Sequence, residues 1–458
     1  MNRLFELRNR EFFRRTILIM LPVVLQSLIS IGINFMDNLM IGGFGETQIS
    51  AAAFSNQFYG IFQFICMGLG SGAVVMSSQF WGAKDLARMR VTAAIAMRVA
   101  LILCLAFTAF SVAFPQLILL AFTGDRAVVE AGIPYMRLIG TTFLLAGMAS
   151  TATYLLRSVG NVRISFIGAA VSFVLNLFFN WVFIFGKFGM PRLELVGAAV
   201  GTVIARVFEF CFIFGYFVLK DDRFAFRLKH FVLSGSELRR DYIRYSIPVL
   251  ISDTLLGLSL ALTGVIIGHV GSELSAANAI VNSLVQVFSV LNMGMAGASA
   301  VVIGNTIGEG DIPRAKREGN TYVLLSFLMG LLIIIPFLLL ERPYMTLYNV
   351  TDFTRAIAHS IFLVNAWMLP MQTIAYCTSK GILRGGGDTR FLLIADSSLV
   401  WFVSLPLGAL AGLVWHMSPV WIYLFLRVEY PAKGLVCLVR FLSGKWIKVI
   451  ARKKEQEA

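Results

Sequence analysis

Long apolar runs alternate along the whole chain with short connectors rich in glycine and basic residues. In the first half the runs are Thr16–Met40, Ala51–Phe80, Val91–Phe114, Gly132–Leu156, Val162–Phe185 and Leu195–Leu219. In the second they are Ile243–Val270, Ala276–Asn305, Tyr322–Leu340, Ala356–Ile382, Phe391–Val414 and Val420–Phe441. Each is about as long as the ~20 residues that carry an α-helix across a bilayer core. The pattern predicts an all-α integral membrane protein with twelve transmembrane helices.

The basic residues test that count. Of 39 Lys and Arg, 29 fall in alternate connectors, the set holding both termini, and 5 fall in the opposite set. A miscounted span would scramble this alternation. Both termini are therefore expected in the cytoplasm, with the helices in the plasma (inner) membrane. The same distribution changes the meaning of the net charge of +14, because bases spread over connectors orient helices and form no nucleic-acid face. Composition agrees, at 58% hydrophobic and 14% charged, against roughly 25% charged in soluble domains. The basic start leads into a full-length span without a small-residue cleavage site, so no removable signal peptide is expected. Five cysteines (Cys66, Cys104, Cys211, Cys377 and Cys437) show no metal or redox spacing and are expected as free thiols. Four scattered histidines, His230, His269, His359 and His416, are expected at the surface, without a ligand role.

The chain repeats itself. Met67–Arg90 and Met293–Lys316 share Met67/Met293, Gly68/Gly294, Val75/Val301, Gly82/Gly308, Asp85/Asp311 and Arg88/Arg314 at a constant offset of 226. Pro22 maps likewise to Pro248, and Asn56 to Asn282. Duplication on this scale in lipid is the architecture of secondary transporters. Six spans per half is an even number, so the halves enter the membrane in the same sense and form two pseudo-symmetric six-helix lobes. The expected organisation is an amino lobe over 1–219, a cytoplasmic linker over 220–242, a carboxyl lobe over 243–441 and a cytoplasmic tail over 442–458. The linker region Lys220–Arg244, long and basic, reads as a solvated tether held to anionic headgroups. The stretch Ala451–Ala458 is expected to fray.

Intramembrane polar groups do not repeat. Asp37 maps to Thr263 at the same offset, and at an offset of 227, which also pairs Arg157 with Arg384, Asn176 maps to Val403 and Asn180 to Leu407. A carboxylate at mid-helix costs about 2.5–3.5 kcal/mol on insertion scales, which makes Asp37 a functional candidate although it lies near its span end. Gln26, Ser30, Asn34 and Asp37 fall within an arc of about 80° on the first helix. Asn176 and Asn180 are i,i+4 neighbours on the fifth span, and Thr202 opens a polar face on the sixth, followed by Arg206 and Glu209. One carboxylate, two amide oxygens and a hydroxyl make a hard-oxygen set suited to a proton or a small cation such as Na⁺. The other reading of Asp37 is a lock that bonds the asparagines, and Arg206–Glu209 reads as a structural i,i+3 pair. In the second lobe Asn278, Asn282, Gln286 and Ser289 form a stripe that Asn56 and Gln63 echo on the second span, read as cavity lining, with interhelical glue as the other reading. Asp253, Asp396 and Lys380 look isolated within spans, with Lys380 and Asp253 near enough to the cytoplasmic ends to snorkel.

These residues match a family. LPVVLQSLISIGINFMDNLMIGGFG resembles the opening of the multidrug and toxic compound extrusion transporters, with a proline near the start and an aspartate before a glycine turn. LLRSVGNVRISFIGAAVSFVLNLFFNWVFIFG, followed by VGAAVGTVIA, is similar to the family's fourth-to-sixth-span signature, and RGGGDTR and SGKWIK fit it as well. The resemblance covers essentially the whole chain. It implies two six-helix lobes around a V-shaped cavity, and export of amphipathic organic cations driven by inward H⁺ or Na⁺. It implies a coupling site at Asp37, Asn176, Asn180 and Thr202, of which Asp37, Asn176 and Asn180 would hold Na⁺. Some members carry an aspartate where Asn180 stands. The chain departs from one branch, whose carboxylates in spans seven and ten align with about Leu256 and Thr373.

The expected activity is secondary multidrug antiport by a monomer, with no enzyme chemistry, no cofactor beyond the transported ion, and no nucleic-acid partner. One rival is a flippase for lipid-linked oligosaccharides, which would favour clustered bases in a cavity. Arg98, Arg137, Arg206, Lys380, Arg427 and Lys433 look few and unclustered along the chain. A non-transporting receptor or scaffold is the other rival, and it has no need of a carboxylate in one lobe alone. An ATP-driven pump would need a GxxxxGK[ST] loop, which the sequence lacks.

Overall fold

The computed structural model of the chain describes residues 5–348 and 350–451. Its twelve long helices answer the twelve apolar runs. The first six are α1 (Arg10–Ile41), α2 (Glu46–Gly82), α3 (Leu86–Ala113), α4 (Arg126–Ser158), α5 (Arg163–Phe185) and α6 (Glu194–Leu219). The second six begin with α7 (Ile247–Val270), α8 (Ser272–Glu309) and α9 (Ile312–Met345). There follow α10 (Asp352–Tyr376, continued by the π-helical stretch Cys377–Leu383), α11 (Thr389–Val414) and α12 (Pro419–Arg427 and Glu429–Leu442). No strand occurs among the described residues. All five cysteines are free thiols.

Several helices outrun their apolar cores. α9 starts ten residues before the predicted Tyr322, where Asp311 caps it by accepting from the Arg314 amide at 3.0 Å. α4 starts at Arg126 behind Asp125, which accepts from the Ala127 amide at 2.9 Å. Hydropathy marks the part of a helix that sits in hydrocarbon, whereas a cap marks where the backbone begins to coil.

The chain forms two compact units. One comprises Leu25–Ser77 and Leu86–Ile243. Its core is aromatic: Phe62 of α2 stacks on Phe143 of α4 at 4.6 Å, with Phe58, Tyr59 and Phe107 around them. The connector after α6 belongs to this unit and is no solvated tether. Phe224 and Phe226 are buried against Phe217, and the Asp221 carboxylate accepts from the Phe224 amide at 2.7 Å. Arg90 and Arg98 of α3 donate to the Phe224 and Leu233 carbonyls at 3.3 and 2.8 Å. The basic count along Lys220–Arg244 obscured the phenylalanines that pin it down.

The other unit comprises the residues up to Val24, Ser78–Asp85 and Arg244 onward. Within it the end of α2 crosses the end of α8 at the glycines common to both repeats. A Cβ on Gly82 would overlap the Asn305 carbonyl oxygen, and a Cβ on Gly308 would overlap that of Gln79. Gln79 and Asn305 are themselves equivalent at the 226 offset, so the contact is reciprocal, as a two-fold relation requires. The Gln79 side chain also donates to the Gly385 and Lys448 carbonyls at 3.3 and 3.1 Å and accepts from the Ile450 amide at 2.8 Å. Trp446, 1% exposed, packs on Phe441 beside these bonds. Ala451 is buried, contrary to the expected fraying, and residues 452–458 lie outside the described residues.

Asp253, Lys380 and Asp396 are not isolated either. Arg384 of α10 grips Asp253 of α7 with both terminal nitrogens, at 2.8 and 2.9 Å, and Lys380 one turn earlier pairs with the same carboxylate. Lys380 also reaches Asp396 of α11 at 3.2 Å, and Lys433 of α12 reaches it at 2.8 Å. Ser252 donates to Asp396 at 3.2 Å. The five charged side chains are all buried, so Lys380 and Asp253 do not snorkel, and Lys380 and Lys433, two of the six bases that look unclustered along the chain, do cluster with Arg384. Each partner lies on a different helix, so no spacing along the chain betrays the network.

Two predictions follow from this packing. Gly308→Val places a branched side chain on the Gln79 carbonyl and should destabilise by about 3 kcal/mol or more, whereas Gly268→Ala, with open space around it, should be neutral in detergent unfolding. Lys380→Met leaves Asp253 paired with Arg384 and Asp396 with Lys433 but removes the ammonium that bridges the two carboxylates, and should cost about 1.5–3 kcal/mol. A cost below about 1 kcal/mol would show that the network is not bonded as described.

Candidate functional site

The site lies wholly within the unit Leu25–Ser77 and Leu86–Ile243. It begins where α5 and α6 touch. Gly201 of α6 lies against Asn180 of α5 so closely that a Cβ would overlap the Asn180 side-chain oxygen. Small residues at such crossings admit close packing in lipid, where apolar surface alone gives no preference for helix over tail. The i,i+4 spacing of Asn176 and Asn180 turns both amides toward α6, and they are 3% and 0% exposed.

The four predicted coupling residues form one bonded chain. Asn180 Nδ2 donates to Asp37 Oδ1 at 2.6 Å and to Asn176 Oδ1 at 3.3 Å. Asn176 Nδ2 donates to Thr202 Oγ1 at 3.2 Å, and Thr202 Oγ1 donates to the Ala198 carbonyl at 2.9 Å. Asp37 is thereby joined to α5 and α6 across 143 residues of sequence. Asn180 Oδ1 is buried with no hydrogen-bond partner among the described residues. A bare amide oxygen out of water is costly, and next to a carboxylate it is also the natural place for a cation. Hard oxygens of this kind, one charged and the rest neutral, suit a proton on Asp37 or a weakly held alkali ion.

Beside the chain is a cavity of about 300 Å³. The predicted Gln26, Ser30, Asn34 and Gln63 line it, with Ser27 and Ile33 of α1 and Tyr59 of α2. Gln63 Nε2 donates to the Tyr59 hydroxyl. Arg206 and Glu209 pair as expected at i,i+3, yet both also face the cavity, and the Arg206 guanidinium lies 5.8 Å from the Tyr59 ring centroid. The α4 wall, Ser150, Thr153, Tyr154 and Arg157, was missed from sequence. Its i,i+3/i+4 spacing was the available signal, hidden because hydroxyls bond their own helix so readily in membranes.

The remaining candidates lie elsewhere. Asn56 does not line the cavity and accepts from the Tyr135 hydroxyl at 3.5 Å. Asn278, Asn282 and Gln286 belong to the other unit. Asn282 donates to Asn278 at 2.9 Å and accepts from Arg427 of α12 at 3.2 Å, while Gln286 is exposed on α8.

Comparison with known proteins finds relatives over nearly the whole chain. The MatE family model fits residues 22–182 and fits again over residues 248–410, starts that are 226 positions apart. The probable multidrug resistance protein NorM of Neisseria meningitidis serogroup B is 22% identical over 93% of this chain and 94% of its own length. The probable multidrug resistance protein YoeA of Bacillus subtilis is 22% identical over 93% of this chain and 92% of its own. A solved structure described as the outward-facing conformation of a multidrug resistance MATE family transporter of the MOP superfamily superposes with a TM-score of 0.85. It shares 17% identity over 94% of this chain and 96% of that one.

Two glycines on α6 test the crossing on which the bonded chain depends. Gly201→Ala should lower the thermal midpoint in detergent, at a cost of about 1–3 kcal/mol, by pushing Asn180 away. Gly215→Ala on the same helix meets no atom within 4 Å and should leave the midpoint unchanged or raise it slightly. Equal behaviour of the two variants would contradict the close approach.

Proposed function

The chain belongs to the MatE family of integral multi-pass membrane transporters, and from that premise we propose that it is a secondary antiporter. It exports amphipathic organic cations across the plasma (inner) membrane in exchange for inward H⁺ or Na⁺. The observation that carries this reading is the bonded chain Asp37–Asn180–Asn176–Thr202 with its bare amide oxygen, set beside the cavity. Cytoplasmic placement of both termini rests on the Lys and Arg asymmetry of the connectors.

In this mechanism the incoming cation neutralises Asp37. A proton does so by occupying a carboxylate oxygen. Na⁺ does so by drawing Asp37, Asn176 Oδ1 and Asn180 Oδ1 around itself. Either event weakens the charge-assisted bond from Asn180 to Asp37, because a neutral acceptor holds an amide less well than a carboxylate. α1 is then free to repack, and Pro22 within it, lacking an N–H, already interrupts the helical ladder. The cavity loses its nearby negative charge and with it affinity for a cationic substrate. Each cation moved inward through 100 mV releases about 2.3 kcal/mol, but one-for-one exchange for a monocation moves no net charge, so in that stoichiometry the concentration gradient of the ion drives export.

Efflux of ethidium from proteoliposomes under an imposed gradient tests the proposal. Wild-type protein should pump under a pH gradient alone if H⁺ couples, and under a Na⁺ gradient alone if Na⁺ does. Asp37→Asn should lose gradient-driven efflux by at least about tenfold, the loss expected when a charge-assisted bond and its titratable group disappear together. Full efflux by that variant would overturn the assignment.

A further inference from the structure

The connector between the two repeats presents a surface that transport does not use. Two arginines of α3 fix it in place, Arg90 donating to the Phe224 carbonyl at 3.3 Å and Arg98 to the Leu233 carbonyl at 2.8 Å. Between these anchors Leu228–Val232 coils into a short 3₁₀ turn. The segment sorts its apolar residues into two sets. Phe224 and Phe226 are buried against Phe217 of α6, whereas Leu228 is 61% exposed and Val232 83% exposed. A fixed turn that holds a leucine and a valine bare in water forgoes their burial, but beside hydrocarbon it forgoes nothing.

The turn lies at that level. Helical side chains lean toward the N-terminus of their helix, and the Lys and Arg asymmetry makes that end of α3 cytoplasmic. Arg90 and Arg98 therefore reach back toward the membrane surface, and the carbonyls they hold lie beside the first turns of α3. Gly235 fixes the same level, since a Cβ on it would sit 3.7 Å from Val91, where the apolar run of α3 begins. Positive charge collects there. Burial first, and then the charges of Arg90, Lys229 and Arg227, hold the His230 imidazole below its ordinary range. Asp221 is occupied by the Phe224 amide and by Asn161, and Asp222 offsets Arg227 at 3.7 Å. The charges of Arg90 and of the exposed Lys229 are left unbalanced by any carboxylate within ion-pair distance among the described residues.

We propose that the Leu228–Val232 turn is an interfacial anchor for anionic phospholipid. Leu228 and Val232 enter the acyl boundary of the cytoplasmic leaflet, and Arg90 and Lys229 hold a phosphate headgroup beside them. A soluble partner would have to reach a surface set against hydrocarbon, whereas anionic lipids of the leaflet already surround it. The proposal goes beyond antiport and does not depend on it.

Insertion is tested in inverted membrane vesicles that carry the full chain, using a charged, membrane-impermeant maleimide. Wild-type protein supplies the background, because four of its cysteines are buried and Cys211 lies in the apolar run of α6. Asp222, whose side chain is 95% exposed, is the aqueous reference within the same connector. Asp222→Cys should label at least about tenfold faster than Val232→Cys, because an apolar phase excludes both the reagent and the thiolate it needs. Equal rates overturn insertion. Where Val232→Cys does not accumulate, Leu228→Cys decides: protection supports insertion and rapid labelling overturns it. Headgroup binding is tested on purified full-length protein titrated with phosphatidylglycerol or phosphatidylcholine, with bound lipid read by native mass spectrometry. Wild type should hold phosphatidylglycerol at least about fivefold more tightly, and Lys229→Gln should lose about fivefold of that affinity, the effect of one base at an anionic surface. Lys187→Gln, at an exposed base of the opposite connector set, should lose none. Equal effects of the two substitutions overturn the headgroup site, and displacement of phosphatidylglycerol by inorganic phosphate overturns the lipid assignment in favour of a free anion.

Discussion

Helices in lipid gain no hydrophobic advantage by meeting one another, so contact must come from close backbone approach and from bonded polar groups. The crossing of α2 and α8 shows this constraint most directly. Gly82 and Gly308 bring each helix against a main-chain carbonyl of the other, at a distance no side chain permits. Both glycines occupy the same place in their repeats, so the contact arises twice from one sequence solution. Gly201 against Asn180 is the same device used for another purpose, since there the close approach positions a polar side chain.

The repeats therefore agree where packing is concerned and part where ionisable chemistry is. The first carries Asp37, Asn176 and Asn180, which the second replaces with Thr263, Val403 and Leu407. The second buries Asp253, Lys380, Asp396 and Lys433 together with Arg384, the counterpart of Arg157, arranged so that three bases bracket two acids. One set leaves an amide oxygen without a partner beside its carboxylate, whereas the other holds its carboxylates in ion pairs. That contrast is what sets the site of the antiport proposal apart from a network that holds four helices together.

Much of this was legible in the sequence, and the reason is periodicity. Twelve apolar runs give twelve helices, because only a coiled backbone satisfies itself in hydrocarbon. The face shared by Asn176 and Asn180, and the stripe from Gln26 to Asp37, follow from 3.6 residues per turn. What escaped were relations between helices. Asp253 and Lys380 are 127 residues apart, and no local spacing forecasts their pairing. The wall of α4 escaped because serine and threonine in a membrane helix so readily bond their own backbone. Phe224 and Phe226 escaped because a basic connector was read by its charge.

The bonds of Gln79 bear on the order of assembly. Its one side chain satisfies main-chain groups at Gly385, Lys448 and Ile450, which belong to the connector before α11 and to the segment after α12. In chain order that final segment comes after every helix. The bond to Gly385 is available once α10 is in place, whereas the bonds to Lys448 and Ile450 wait for the segment after α12. Docking of Trp446–Ile450 onto the end of α2 therefore comes later than the packing of the helices that precede it in the chain.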